Sequence, residues 1–443
     1  MAASLPTIAV LGASGLIGQA IATELVREGF PVVAIARRFT PAQKAFFADK
    51  AVECPVLDLT AEDLSTLFAQ HAVEIVINCI GTLQDSPQRG KAEDVHLGFV
   101  SLLTKALTLS RQLRLLVHLS VPGDDRDDQT AFSTTKRRAE QAITASDVPY
   151  VILRPGFVIA PAAYGGSALV RALAALPIEL SAQELRRPFA TTDVADIAGT
   201  IAQLGRRWGG GEHQWAAVWD VMDRETPSVG SVIAAFRMKL GGPARQLRLA
   251  PWMMTMGARL GDLASRFGWS PPVRTTALVE MRRGVTGNPD EWIGATGIEP
   301  ASLARILARQ PATIQEKWFA RLYLVKPLAI GSLALFWIAS GLIALTASFD
   351  AAVSILTGHG FARPLAEAIT VISSIADILV GTAILWRKQC RTGLIAGIGL
   401  SLFYMATAAA VTPSLWLEPL GALIKTAPAI VLMLVALAIL DER

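Results

Sequence analysis

Apolar residues fall into two regimes along this chain. Through about residue 311, short apolar runs alternate with segments of helical period; from Leu324 onward the chain is almost continuously apolar. In the first regime, residues 7–11 form an apolar run that stops at glycines, which predicts a buried strand. Residues 15–28 then carry Ile17, Ile21, Leu25 and Val26 at helical spacing. The alternation continues, with strands predicted at 32–36, 52–57, 75–78, 115–120 and 151–153. Helices are predicted near 41–48, 61–70, 97–110 and 133–145. Such alternation predicts an α/β fold with a doubly wound parallel sheet over residues 1–311. Past Pro155 the regularity fades, and a smaller substrate-side portion of mixed type is expected from about 156.

In the second regime, the stretches 324–347, 362–386, 392–412 and 417–440 each approach the roughly 20 residues that span a bilayer core. Their short connections favour an all-α, four-helix transmembrane domain over 312–443 rather than the buried bundle of a soluble domain. Lys317 and Arg321 precede the first stretch and Lys326 lies at its start, and Arg387, Lys388 and Arg391 fill the turn between the second and third. The connections 348–361 and 413–416 hold little positive charge. Positive-inside counting therefore predicts a multi-pass protein of the cell inner membrane, with the N-terminal domain and the C-terminus in the cytoplasm.

Composition adds exclusions. The 3 cysteines, Cys54, Cys79 and Cys390, are too widely spaced for a disulfide framework or a metal site, so a reducing compartment is expected. Residues 1–6 carry no basic n-region, and no secretory signal is expected. The net charge of +4 comes from basic residues that are dispersed or flank the apolar stretches, which argues against a nucleic-acid partner.

The candidate chemistry begins at Gly12-Ala13-Ser14-Gly15-Leu16-Ile17-Gly18, between the first predicted strand and helix. Gly12 permits a tight turn, Gly15 lets the backbone approach a pyrophosphate, and Gly18 allows close helix–sheet packing. The helix N-terminus that Ser14, Leu16 and Ile17 surround offers free N–H groups and a positive dipole end to phosphates. The second strand ends at Arg37 and Arg38, where an NAD-binding chain would carry an acid; arginine suits the 2′-phosphate of NADP. Two solvated surface arginines are the alternative. Asp58, followed by Leu59, is placed to accept from an adenine amino group, although Asp-Leu-Thr is equally a helix-cap signal. Cys79 and Gly81 follow the fourth strand, where a glycine lets the backbone pass a cofactor.

With Ser120, Lys136, the run 151–156 and the run 192–196 added, the first two-thirds resembles an atypical extended short-chain dehydrogenase/reductase. That group includes NmrA-like proteins and the nucleotide-binding accessory subunit of respiratory complex I. The resemblance implies NADP as cofactor, with NAD the alternative, and contacts from Pro155. It further implies that Lys136 bonds the nicotinamide ribose and that Ser120 helps bind a carbonyl oxygen; a cap or turn role for Ser120 fits as well. The family places a tyrosine four residues before the lysine, and here Phe132 stands in that place. Phenylalanine has no ionisable group and cannot pass a proton. Tyr164 is the phenol left to approach the nicotinamide face, with a structural role as its alternative.

The last third resembles the DoxX-like family of small four-helix membrane domains, through residues 416–421, Lys425 to Pro428 and the acids of the second span. Relatives of that family occur in membrane systems that pass electrons to quinone. Asp377 lies mid-span, where a charge costs about 2.5–3.5 kcal/mol on insertion scales, and is a candidate for proton or quinone handling. Its alternative is a structural pair with Lys425 or a hydroxyl of a neighbouring helix. Glu367 is expected at the depth of Lys425, and the two are expected to pair.

Two functional classes follow. One is a membrane-anchored NAD(P)H-dependent oxidoreductase whose lipophilic substrate, such as a quinone, partitions into the bilayer. Segments 251–269 and 301–321 would then lie on the membrane surface. The other is a non-catalytic NADP(H)-binding scaffold or redox sensor that docks a membrane redox complex, which the missing tyrosine favours. A transporter is disfavoured, since four helices without an inverted repeat are few.

The Arg37–Arg38 pair makes cofactor choice testable. NADPH should bind more tightly than NADH, and Arg37→Asp should cost NADPH about 1.5–3 kcal/mol, the range for charge-assisted hydrogen bonds. Cofactor fluorescence titration measures both. Equal affinities in the wild type, unchanged in the variant, would refute the assignment.

Overall fold

The computed structural model describes residues 5–85, 90–110, 112–413, 416 and 423–440. Residues 1–4 and the 417–422 part of the fourth expected span, with its DoxX-like match, lie outside the described residues. The chain divides into two compact units: residues 1–262 with 271–320, and residues 263–270 with 321–443.

Among the described residues the first unit holds eleven strands. They are β1 (Ile8–Leu11), β2 (Val32–Ala36), β3 (Ala51–Glu53), β4 (Ile75–Asn78), β5 (Leu115–Leu119), β6 (Tyr150–Pro155), β7 (Phe157–Ile159), β8 (Ile178–Glu179), β9 (Thr191–Asp193), β10 (Ala216–Val221) and β11 (Leu247–Arg248). Seven form one parallel sheet in the order β10-β6-β5-β4-β1-β2-β3. Helices α1 (Leu16–Arg27), α2 (Pro41–Phe47), α3 (Ala61–Gln70), α4 (Phe99–Thr108) and α5 (Ala131–Thr144) connect the first six strands. Then follow α6 (Gly166–Ala175), α7 (Ala182–Leu185), α8 (Val194–Gly209), α9 (Val229–Leu240), α10 (Pro251–Arg266), α11 (Thr275–Arg283), α12 (Asp290–Thr296) and α13 (Leu303–Arg309).

The strands read as unbroken apolar runs because both faces are covered. Alternate residues of β1 go to opposite sides. Ile8 and Val10 join Ile21, Leu25, Ile197, Ile201 and Trp208 from α1 and α8. Ala9 and Leu11 join Leu64, Phe68, Leu103 and Ile143 from α3, α4 and α5.

Three sequence expectations need correction. The strand expected over 52–57 stops at Glu53, and Val56–Asp58 is a 3₁₀ turn. Pro55 is the cause, having no N–H to donate to the ladder. The helix expected from 97 is preceded by a π-helical turn at Asp94–Gly98. The seventh strand, β10, was not expected, because exposed Ala216 and half-buried Asp220 interrupt its apolar run. It adds to the sheet edge by pairing Ala216–Val221 with Tyr150–Pro155.

Among the described residues, three helices are long and apolar enough to cross a membrane: α14 (Ile314–Leu345), α16 (Arg363–Leu385) and α17 (Cys390–Val411). α15 (Phe349–Gly358) occupies what was expected to be a plain connection, and α18 (Thr426–Ala438) is apolar but shorter. Small residues let these helices approach closely. A Cβ on Gly341 would lie 2.4 Å from the Ser374 carbonyl oxygen, and one on Gly381 2.8 Å from that of Ala334.

Cys390 is fully buried, so a native thiol cannot report topology, whereas Lys388 and Gly358 are exposed. With the expected orientation, an impermeant thiol reagent should label Gly358→Cys in intact cells and Lys388→Cys only after permeabilisation. The opposite pattern would invert the orientation.

Candidate functional site

The strand order reverses between β1 and β4, and the crevice at such a switch point is where doubly wound folds bind ligands. The backbones there are in contact. Gly12 has φ +81°, and a Cβ on it would fall 3.3 Å from the Cys79 carbonyl carbon. A Cβ on Gly18 would fall 2.4 Å from the Gly12 carbonyl oxygen. Gly15 precedes α1 with no side-chain cap, which leaves first-turn N–H groups for a ligand. Ser14, Leu16 and Ile17 are half-buried around this mouth. Gln43 steadies the turn by donating to the Ser14 carbonyl oxygen (3.2 Å) and Gln19 Oε1 (2.9 Å). A cradle that only glycine can form, rimmed by unclaimed donors, fits a dinucleotide pyrophosphate.

Arg37 and Arg38 are exposed at the end of β2. Asp58 is exposed and Leu59 half-buried just before α3. The cap alternative belongs to Thr60: its hydroxyl accepts from the Asp63 N–H at 3.2 Å, and Asp63 accepts from the Thr60 N–H at 3.1 Å. Asp58 is not the cap.

The second half of the site is assembled by β4, β5 and α5. Lys136 Nζ donates to the carbonyl oxygens of Leu119 (2.7 Å) and Ile80 (3.5 Å). Burial lowers its pKa to about 8, and burial pushes the Cys79 thiol up to about 12. A Cβ on Gly81 would sit 3.4 Å from the ammonium, so glycine keeps that approach open. Ser120 Oγ, just past β5, is buried with no partner among the described residues.

Two histidines that sequence reasoning missed surround this lysine. His96 Nε2 accepts from the Thr82 N–H at 3.0 Å, so its other nitrogen donates to Thr135 Oγ1 at 2.7 Å. Burial drives its pKa to about 3. The Phe132 ring packs edge-on against it at 5.7 Å. Phenylalanine has no proton to give, and both His96 nitrogens are engaged. His118 accepts from Asn78 at 3.1 Å, and burial holds its pKa well below the usual value. Its Nε2 has no partner among the described residues. A lone histidine in an apolar strand carries no sequence signal that separates it from core.

The loop after β5 is tied down by buried ion pairs and hydrogen bonds. Arg137 bonds Asp128 at 3.1 Å and the Gly123 carbonyl at 2.5 Å, while Arg283 reaches Asp128 at 2.8 Å and the Pro122 carbonyl at 3.1 Å. Glu280 accepts from the hydroxyls of Thr130 and Ser133 at the start of α5. Pro155 ends β6 buried, and the Gly156 N–H donates to Thr192 Oγ1 at 2.8 Å, which ties β6 to β9. Asp193 caps α8 through the Ala195 N–H at 3.0 Å. The run 192–196 thus acts as a clamp. Tyr164 is exposed in the loop before α6, its N–H bonded to Ser167 Oγ at 2.9 Å.

In the second unit Asp377 is buried, bonded by Tyr404 at 2.9 Å and Ser340 at 3.3 Å. Hydroxyls of neighbouring helices are its partners, not Lys425. Glu367 pairs with Arg363 at 2.9 Å, one turn away on the same helix, and Lys425 is exposed. The expected Glu367–Lys425 pair does not form, because an i, i+4 arginine is nearer.

Residues 12–182 match the family described as NAD(P)H-binding, and residues 334–434 match the DoxX-like family. No curated protein matches the chain. Among solved structures, UDP-glucuronic acid 4-epimerase from Bacillus cereus, in complex with UDP-glucuronic acid and NAD, is 14% identical with a TM-score of 0.50, covering 72% of this chain and 99% of that one. UDP-glucose 4-epimerase from Thermotoga maritima, with UDP-glucose, is 13% identical with a TM-score of 0.51 over 72% and 99%. The enzyme WbmG from Bordetella bronchiseptica, in complex with NAD, is 16% identical with a TM-score of 0.51 over 69% and 93%. At these identities the likeness establishes the fold alone, the Rossmann-type fold that those structures share. Residues 12–182 thus match an NAD(P)H-binding family on a Rossmann-type fold, and residues 334–434 match a DoxX-like family in the apolar C-terminal region.

If Lys136 holds the nicotinamide ribose, as the sequence resemblance implies, its lowered pKa predicts a pH dependence for cofactor binding. An ammonium bonded to ribose hydroxyls has a higher pKa than in the free protein, so binding takes up a proton above about 8. Affinity is then full below that value and falls as pH rises through it, by up to about tenfold per unit. NAD(P)H fluorescence titrations across that range measure it, and Lys136→Met should flatten the profile. A flat wild-type profile would remove Lys136 from the cofactor contact.

Proposed function

We propose that this chain is a membrane-anchored NAD(P)H-dependent oxidoreductase that acts on a lipophilic substrate such as a quinone, with NADP(H) the preferred cofactor. One observation carries the reading: the glycine cradle and the Lys136–Ser120 pocket belong to the same polypeptide as helices long and apolar enough to cross a bilayer. In this assignment the backbone of Gly12, Ser14, Gly15, Leu16, Ile17 and Gly18 holds the pyrophosphate. Arg37 and Arg38 hold the 2′-phosphate, and Asp58 and Leu59 flank the adenine. Cys79, Gly81 and Pro155 line the nicotinamide end, where Lys136 bonds the ribose. The epimerase and WbmG structures similar in fold hold NAD, which supports a dinucleotide in this cradle and leaves the phosphate preference to the arginines. Division near residue 311, a cytoplasmic nucleotide domain and a multi-pass inner-membrane domain complete the proposal.

The bound dinucleotide supplies hydride. The chain's own residues orient and polarise the acceptor: Ser120 Oγ, without a partner among the described residues, donates to an acceptor oxygen, and the Lys136 ammonium provides the adjacent positive charge. Neither Phe132 nor His96 delivers a proton. An acceptor whose reduced oxygens take protons from water suits this pocket better than a simple ketone. The same absence of a phenol supports a second reading, a non-catalytic NADP(H)-binding scaffold or redox sensor that docks a membrane complex.

Purified full-length protein should oxidise NADPH when a quinone is added and leave simple ketones nearly untouched, since a positioned general acid is worth about 10²–10⁴-fold in rate. Phe132→Tyr should keep cofactor affinity and gain weak ketone reduction. Ser120→Ala should slow quinone turnover, and Tyr164→Phe should abolish turnover only if that phenol serves as the acid. Cofactor binding without turnover for any quinone would select the scaffold reading.

A further inference from the structure

Helix α10 is turned inside out relative to an ordinary surface helix. Its buried residues are small, Ala258 and Gly261, and a Cβ on Gly261 would fall 1.8 Å from the Val273 carbonyl oxygen. Its large apolar residues face outward: Trp252, Met256, Leu260 and Leu263 are 63, 47, 57 and 48% exposed. Their spacing puts all four on one stripe of the helix. Exposed Arg259 and Arg266 lie along one flank of that stripe. The one acid of the helix, Asp262, is held by Arg274 at 3.0 Å and by the Thr275 hydroxyl. The outward face is therefore apolar and cationic.

What meets this face follows from where the helix ends. The residues just beyond α10 are fixed to the turn that closes α16. Trp269 Nε1 donates to the Leu385 carbonyl oxygen at 2.7 Å, and the Arg387 N–H donates to that of Phe267 at 3.0 Å. The Arg387 guanidinium lies 5.2 Å from the Trp269 ring centroid, and the Phe267 and Trp386 rings meet edge-on at 5.9 Å. Tryptophan with arginine and lysine at the end of a membrane-length helix is the composition of the bilayer interface. The C-terminal end of α10 is thus held at headgroup level.

We propose that α10 is an interfacial helix, its Trp252–Met256–Leu260–Leu263 stripe embedded at the headgroup–acyl boundary of an anionic bilayer and Arg259 and Arg266 on lipid phosphates. Interfacial helices of this kind bury their apolar face by about 5–10 Å. The proposal rests on the bilayer reading of α14, α16 and α17 and is independent of the chemistry.

The test uses the full chain without its native cysteines, reconstituted in nanodiscs of phosphatidylcholine with or without phosphatidylglycerol. A nitroxide is placed in turn at Met256→Cys, Leu260→Cys, Glu62→Cys on α3 and Ile372→Cys on α16. Collision with oxygen, relative to a water-soluble nickel chelate, should be several-fold higher at 256 and 260 than at 62, and should approach that at 372. Adding Arg259→Glu and Arg266→Glu should lower it only in discs that hold phosphatidylglycerol. Water-like values at 256 and 260 beside a lipid-like 372 overturn the proposal; a water-like 372 overturns the bilayer reading itself. Spin–spin broadening at 256 that disappears on dilution with unlabelled chain assigns the stripe to a second copy and also overturns it. Should the cysteine-free chain not fold, the native chain supplies the answer: brominated lipid should quench Trp252 emission, obtained by difference from Trp252→Phe, and no quenching overturns the proposal.

Discussion

Everything in the nucleotide half depends on one backbone contact, the approach of the Gly12 turn to the end of β4 beside Cys79. No side chain fits between these two strands' ends, and Gly18 then allows α1 to start directly against the same turn. The crevice is the place where the strand order reverses, so the helices leave it in opposite directions and nothing from the sheet fills it. The helix N-terminus, the exposed arginines after β2 and the Lys136 ammonium all take their positions from this contact.

The other end of the crevice is organised by burial. Lys136 is tied to carbonyl oxygens of β5 and of the segment after β4, a placement that leaves its charge poorly solvated and its proton weakly held. Around it stand neutral groups: Phe132, a histidine locked by Thr82 and Thr135, and a second histidine bonded to Asn78. The Arg137–Asp128–Arg283 ties hold the loop that carries Ser120 onward into α5. Among the described residues, the Lys136 ammonium and the partnerless Ser120 hydroxyl thus stand in this region beside Phe132 rather than a phenol.

The membrane unit uses its polar groups differently. Burying a carboxyl among apolar helices is costly unless hydrogen bonds compensate. Asp377 obtains them from α14 and α17, so the same side chain links three helices. Gly341 and Gly381 allow the close α14–α16 crossing that brings the Ser340 hydroxyl within reach.

The sequence by itself determined the strand–helix alternation, because a sheet covered on both faces demands continuous apolar runs that no other pattern mimics. It located the glycine turn, because only glycine tolerates that backbone and that proximity, and it located the membrane-length segments, because a bilayer imposes a length. It also placed Phe132 four residues before Lys136 on one helix, a spacing local enough to read from the chain. Tertiary structure alone decided the rest. β10 joins the sheet through partners rather than through its own pattern, and Glu367 chose Arg363 over Lys425 by distance. His118 became part of the Lys136 surroundings because parallel strands bring residues 40 apart in the chain into register, and His96 because its π-helical turn packs against α5. The sequence suggested segment 251–269 for the membrane surface, but it did not say which side of α10 faces in. That depends on the close approach of Gly261 to Val273, a contact between backbones that no hydropathy pattern records.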